Sequence, residues 1–118
     1  MLTMLKLQII IKENIMKAIM NIHPGEILEK DFLEPMGITA YRLSKAIGVQ
    51  QTRISQIIKG KTSITADMAT RLSKYFGTSA ELWMNLQSKH DIRKTRQEKS
   101  EILEQIVPME AIDQSKTI

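Results

Sequence analysis

No cysteine occurs among the 118 residues, which excludes a disulfide framework and any thiolate metal site and is compatible with a reducing compartment. Long hydrophobic stretches are missing too. The longest unbroken apolar runs are three residues, Ile9 to Ile11 among them with Lys6 and Lys12 on either side, too short for a membrane span or the core of a secretion signal. There are only two histidines, His23 and His90, and neither has carboxylates at metal-ligand spacing. His23, just before Pro24, reads as a helix-opening residue. No Ser-His-Asp order, glycine-rich phosphate loop or paired-carboxylate motif appears, so no enzyme activity, cofactor or metal is expected. One further absence is local: between Glu34 and Asp67 there is no acidic residue, while Arg42, Lys45, Arg53, Lys59 and Lys61 all fall there. A segment of +5 without a compensating carboxylate is the footprint that contact with a polyanion requires.

What is present fits one domain. A chain with 42% hydrophobic residues is large enough for a single compact core, with little left for a second. The net charge of +4 is unevenly placed, since residues 1–97 carry +7 and residues 98–118 carry −3. A basic body with an acidic tail fits a polyanion binder better than a membrane protein.

The organising stretch is Ala40 to Lys59, AYRLSKAIGVQQTRISQIIK. Its apolar residues are Leu43, Ile47, Val49, Ile54 and Ile57, with small Ser44 beside the first and Gly48 at the corner. Two short helices meeting steeply need a small residue where backbones approach, a glycine free to take positive φ, and aliphatics filling the elbow. Gln51, Thr52, Arg53 and Gln56 fall at and after the start of the second helix, facing away from Ile54 and Ile57. These are the positions from which a recognition helix reads base edges in the major groove. Arg42, Lys45, Lys59 and Lys61 flank them as candidate phosphate contacts.

The rest of the chain supplies support. Residues 1–20 form an extension with two competing patterns: period-two alternation over Leu5 to Lys12 suggests a short strand, and Ile15, Met16, Ile19 and Met20 are spaced for a helix face. A helix opens at His23-Pro24-Gly25-Glu26, with Ile27, Leu28, Phe32 and Leu33 inward, and is expected to end at Pro35 and Gly37. Thr39 caps the first motif helix, where Tyr41 and Leu43 begin the inward face, and Thr65 caps a helix carrying Met68, Ala69, Leu72, Tyr75 and Phe76. Thr78-Ser79-Ala80-Glu81 reads as a capping box with Thr78 at the cap. The following helix holds Trp83, either a core residue or an interface anchor. From Glu98 onward Ile102, Leu103, Ile106 and Val107 suggest one more amphipathic helix, stopped by Pro108. The expected architecture is therefore all-α: an extension over 1–20, a five-helix helix-turn-helix domain over 21–97, and an acidic amphipathic tail over 98–118.

From His23 to about Ile92 the chain closely resembles the HigA/VapI-type antitoxins of the Xre helix-turn-helix family, a domain also of the lambda-repressor type. The resemblance is carried by IHPGEIL at 22–28, YRLSKAIGV at 41–49, and the run from Arg53 to Ile92, including GKTSIT at 60–65 and FGTSAELWMNLQ at 76–87. It implies a bacterial antitoxin that pairs with a HigB-like mRNA endonuclease and, as a homodimer on double-stranded operator DNA, represses its own operon. The recognition helix also looks like those of lambdoid phage repressors over Gly48 to Thr62, in which the positions of Gln51, Thr52 and Gln56 face bases. A stand-alone phage-like repressor without a toxin partner is the alternative. One recognition helix reads too few base pairs for genomic specificity, so a symmetric dimer on an inverted repeat is expected. For Trp83, Ile102, Leu103, Ile106 and Val107 the sequence leaves two uses open, a toxin surface or a dimer contact.

Overall fold

The structure, a computed structural model, describes residues 4–19 and 22–110. Among the described residues it is helical, with no strand: α1 (Met4–Ile19), α2 (residues 24–36), α3 (Ala40–Ile47), α4 (Gln51–Ile58), α5 (Ala66–Phe76), α6 (Ala80–Glu98) and α7 (Ser100–Glu104). Helices α2 to α6 are the five expected from the sequence.

The strand expected over Leu5 to Lys12 is a helix instead. Alternation breaks at Ile10, and a lone strand would have no partner for its backbone groups, whereas a helix pairs them internally. The side chains of Leu5, Leu7, Ile9 and Ile11 are exposed. The expected face of Ile15, Met16, Ile19 and Met20 lies outside the side chains described, and the tail beyond residue 110 lies outside the described residues.

Helix α2 opens as expected, with His23 at the cap and its Nδ1 accepting from the Gly25 N–H at 2.9 Å. Pro35 does not end it. The helix widens to π winding over Leu28–Leu33, continues through Glu34–Met36 and stops at Gly37. Proline lacks an N–H and clashes with the carbonyl four residues back, and the wider register before it, seen where the Glu34 N–H reaches the Glu29 carbonyl, takes up that mismatch.

The two motif helices meet as the sequence required. The Thr39 hydroxyl accepts from the Arg42 N–H at 3.1 Å to start α3, and Gly48, at φ 70°, ends it. Both Gly48 and Val49 donate to the Ser44 carbonyl, so the corner closes around a buried serine whose small side chain lets α4 come near. Leu43, Ile47, Ile54 and Ile57 fill the elbow with Leu28, Met68 and Leu72. Tyr41, expected inward, is exposed, while Leu43 turns in as expected.

Helix α6 closes the core. Its cap is Ser79, whose hydroxyl accepts from the Leu82 N–H, not Thr78. Thr78 has another use: its hydroxyl accepts from the Trp83 indole N–H at 2.9 Å. Trp83 is fully buried beside Phe32 and Phe76, so it belongs to the core and is no interface anchor. A tryptophan can be buried whole where its one polar atom finds a partner, and Thr78 provides that partner. One turn on, buried Gln87 accepts from the Ile64 N–H at 2.7 Å and donates to Asp91 at 2.9 Å. The expected tail helix is shorter than its apolar pattern: α7 ends at Glu104, leaving Ile106 and Val107 beyond it. Pro108 disfavours helical backbone at the residue before it.

Backbone packs directly on backbone where α2 meets the end of α4. A Cβ on Gly25 would lie 1.7 Å from the Ile57 carbonyl oxygen, a distance only glycine avoids. Gly25→Ala is expected to destabilise the protein by about 1–3 kcal/mol or more, read as a fall in the urea midpoint at unchanged slope.

Candidate nucleic-acid interface

Helix α4 is two turns long, and its sides differ sharply. Ile54 and Ile57 are buried, while Gln51, Thr52 and Gln56 are exposed. The Gln50 cap makes no side-chain hydrogen bond, and with the Arg53 N–H bonded to the Gln50 carbonyl the N–H groups of Gln51 and Thr52 are the ones open to solvent or to a phosphate oxygen. The four expected phosphate contacts are also exposed: Arg42 and Lys45 on α3, Lys59 and Lys61 at the turn after α4. Lys45 lies 5.4 Å from the Tyr41 ring centroid, a cation–π contact that restrains a flexible side chain. Outward-facing Tyr41 thus serves the basic rim instead of the core.

Arg53 has a partner within the protein. It is half-buried, and its Nη2 donates to the Thr65 hydroxyl at 3.0 Å, the same oxygen that caps α5 by accepting from the Met68 N–H. The guanidinium is turned onto the protein's own next helix, because one turn of α4 places it level with the α5 cap. Two other residues position this site and have no local signal in the sequence. Arg71, in α5, donates to the Ile47 carbonyl at 2.7 Å, and Gln87 holds Ile64 in the loop that follows α4. Both act over more than twenty residues of chain.

Behind the basic turn sits His23. Its ring packs against Gly60 and meets His90 edge-on at 4.8 Å. Burial lowers its pKa, and the neighbouring positive charges of His90 and Lys94 add to this against the opposing pull of Asp91. For Asp91, burial works against ionisation, but hydrogen bonds from His90 and Gln87 prevail and hold its carboxyl below its ordinary value. Among the described residues no group of three or more His, Asp and Glu side chains could hold a metal ion, and no helix is long and apolar enough to cross a membrane.

The remaining apolar candidates are far from α4 in the chain. Ile102, Leu103, Ile106 and Val107 are all exposed, and α7 packs substantially only against α6. An open groove runs between these two helices, lined by Ile92, Thr95 and Leu103.

A short helix that follows a glycine corner, polar outward and rimmed by cations, defines a helix-turn-helix domain of the DNA-binding class. The helix-turn-helix family profile matches residues 30–83. Virulence-associated protein I of Dichelobacter nodosus is 46% identical over 81 residues, covering 69% of this chain and 75% of that one. Antitoxin HigA-1 of Vibrio cholerae is 38% identical over 85 residues, covering 72% and 80%. Among solved structures, the Pseudomonas aeruginosa antitoxin HigA with the higBA promoter superposes with a TM-score of 0.73 at 38% identity, covering 75% of this chain and 98% of that one. The chain belongs to the HigA/VapI-type antitoxins of the Xre helix-turn-helix family, a family of DNA-binding regulators and not of enzymes.

The lowered pKa of His23 carries a pH dependence. Its neutral Nδ1 caps α2, and a folded pKa below the ordinary 6.5 means that the unfolded chain binds this proton more readily. The stability is complete above pH 6.5 and is lost as pH falls through the folded value. His23→Asn keeps a capping side chain that does not titrate. Urea unfolding across this range is expected to give a flatter pH profile for the variant than for the wild type.

Proposed function

We propose that this protein is the antitoxin of a type II toxin–antitoxin pair: it represses its own operon by sequence-specific DNA binding and neutralises a HigB-like mRNA endonuclease in the bacterial cytoplasm. The observation that carries the reading is the exposed face of α4, where Gln51, Thr52 and Gln56 project from a helix buried on its other side. A glutamine can give and accept two hydrogen bonds with adenine, and a threonine methyl can meet a thymine methyl. Arg42, Lys45, Lys59 and Lys61 hold the flanking phosphates. The working unit is residues 21–97 as a homodimer on an inverted repeat, with half-site centres about 34 Å apart.

The tail from residue 98 is the surface offered to the toxin. Its net charge of −3 suits a basic, RNA-holding partner, so opposite charge speeds encounter, and exposed Ile102, Leu103, Ile106 and Val107 lengthen the life of the complex. The same strip could instead join two antitoxin subunits. Truncation after Gln97 separates these uses. Toxin affinity is expected to fall by several kcal/mol, mostly through faster dissociation, with dimerisation and operator binding retained; collapse of the dimer assigns the strip to the subunit contact.

DNA recognition is tested with duplexes from the promoter region ahead of the gene and with random duplexes of equal length. Gln51→Ala should cost roughly 1–3 kcal/mol on the promoter duplex alone, while Lys61→Ala should weaken both duplexes alike and reduce the salt slope by about one. An unchanged promoter-to-random ratio in Gln51→Ala would remove α4 as the base reader.

A further inference from the structure

Arg71 stands in α5, outside the two motif helices, yet it grips the corner between them. Its Nε pairs with Asp67, one turn earlier on α5, at 3.0 Å. From the other edge of the same plane, Nη1 donates to the Ile47 carbonyl at 2.7 Å and lies 3.4 Å from the Gly48 carbonyl. These carbonyls close α3 immediately before α4 begins. The last carbonyls of a helix lack partners within it and carry partial negative charge, so a guanidinium satisfies them both as donor and as cation. Because the fork is rigid and Asp67 holds one edge, the position of the other edge is set. The Arg53–Thr65 bond ties the first turn of α4 to the start of α5. Helix α5 thus holds the recognition helix from the corner before it and from its own first turn.

We infer that Arg71 is a positioning residue for DNA recognition: it sets the angle at which α4 leaves the corner, so that Gln51, Thr52 and Gln56 meet base edges in register. Base readout demands placement to about 0.5 Å, whereas attraction between lysines and phosphates tolerates displacement. A loosened corner therefore weakens specific binding more than non-specific binding. The inference rests on the proposed reading of α4 as the recognition helix.

The test compares full-length wild type, Arg71→Met, Arg71→Lys and Asp67→Asn on the promoter-region duplex and on random duplex over a range of salt. Thermal unfolding is followed alongside, so that affinities are compared where each variant is folded. In Arg71→Met the promoter-to-random ratio should fall at least tenfold with little change in salt slope. Arg71→Lys should recover part of the ratio, since an ammonium can reach one carbonyl but cannot span the fork. Asp67→Asn frees the guanidinium and raises the positive charge of the protein; its ratio should still fall severalfold, whereas a simple charge effect would strengthen binding to both duplexes. Equal weakening on both duplexes with a slope loss of about one in Arg71→Met would make Arg71 a phosphate contact and overturn the inference. A ratio unchanged in both Arg71→Met and Asp67→Asn would overturn it as well. Failure of the wild type to prefer the promoter duplex would instead overturn the reading of α4.

Discussion

An eight-residue helix makes too few internal hydrogen bonds to persist in water, so α4 keeps its shape only because the rest of the domain grips it. At its end the backbone of α2 at Gly25 lies directly against the Ile57 carbonyl. No side chain intervenes, so the relative height of α2 and α4 is set by backbone contact. His23 extends the same junction by capping α2 and packing beneath Gly60. Gln87 then secures the following loop through Ile64. The face presented outward is consequently the product of contacts made on the inward side, and its precision derives from α2, α5 and α6 more than from α4.

That division has an electrostatic counterpart. Cations are concentrated where the recognition helix and its turn meet solvent, and acidic residues on the motif's side of the domain are drawn into local pairs, Glu34 with Lys30 and Asp67 with Arg71. Exposed pairs of this kind contribute little stability, but each sets a cation directly against its carboxylate. The tail concentrates acidic residues at the other end of the chain. Separating the two signs along the chain prevents one from cancelling the other, so the basic motif keeps its own field.

Arg53 shows what charge and spacing leave out. Its position one turn into a recognition helix, among glutamines and a threonine, reads as a base contact; in the fold it bonds Thr65. Trp83 illustrates the same limit from the apolar side, since hydrophobicity alone does not distinguish a core residue from an interface anchor, and the Thr78 hydroxyl decided the matter. In the N-terminal segment, alternation pointed to a strand that no neighbouring strand could complete. The tail erred in the opposite sense: the apolar spacing of Ile102 to Val107 outruns a helix that ends at Glu104.

The five helices of the body, the Thr39 and Thr65 caps, the Gly48 corner and the exposed polar side of α4 were legible in the sequence because each is governed by interactions within a few residues: capping hydrogen bonds, helical periodicity and the steric freedom of glycine. The family was legible for the same reason, since its motifs sit on those local features. Tertiary structure alone decided why Gly25 admits no side chain, why Gln87 is buried, which cation turns inward and which residue braces the corner. Each of those depends on groups brought together from separate helices or loops, across about twelve to thirty residues of chain. No periodicity or cap encodes such a meeting; it exists only once the helices have packed.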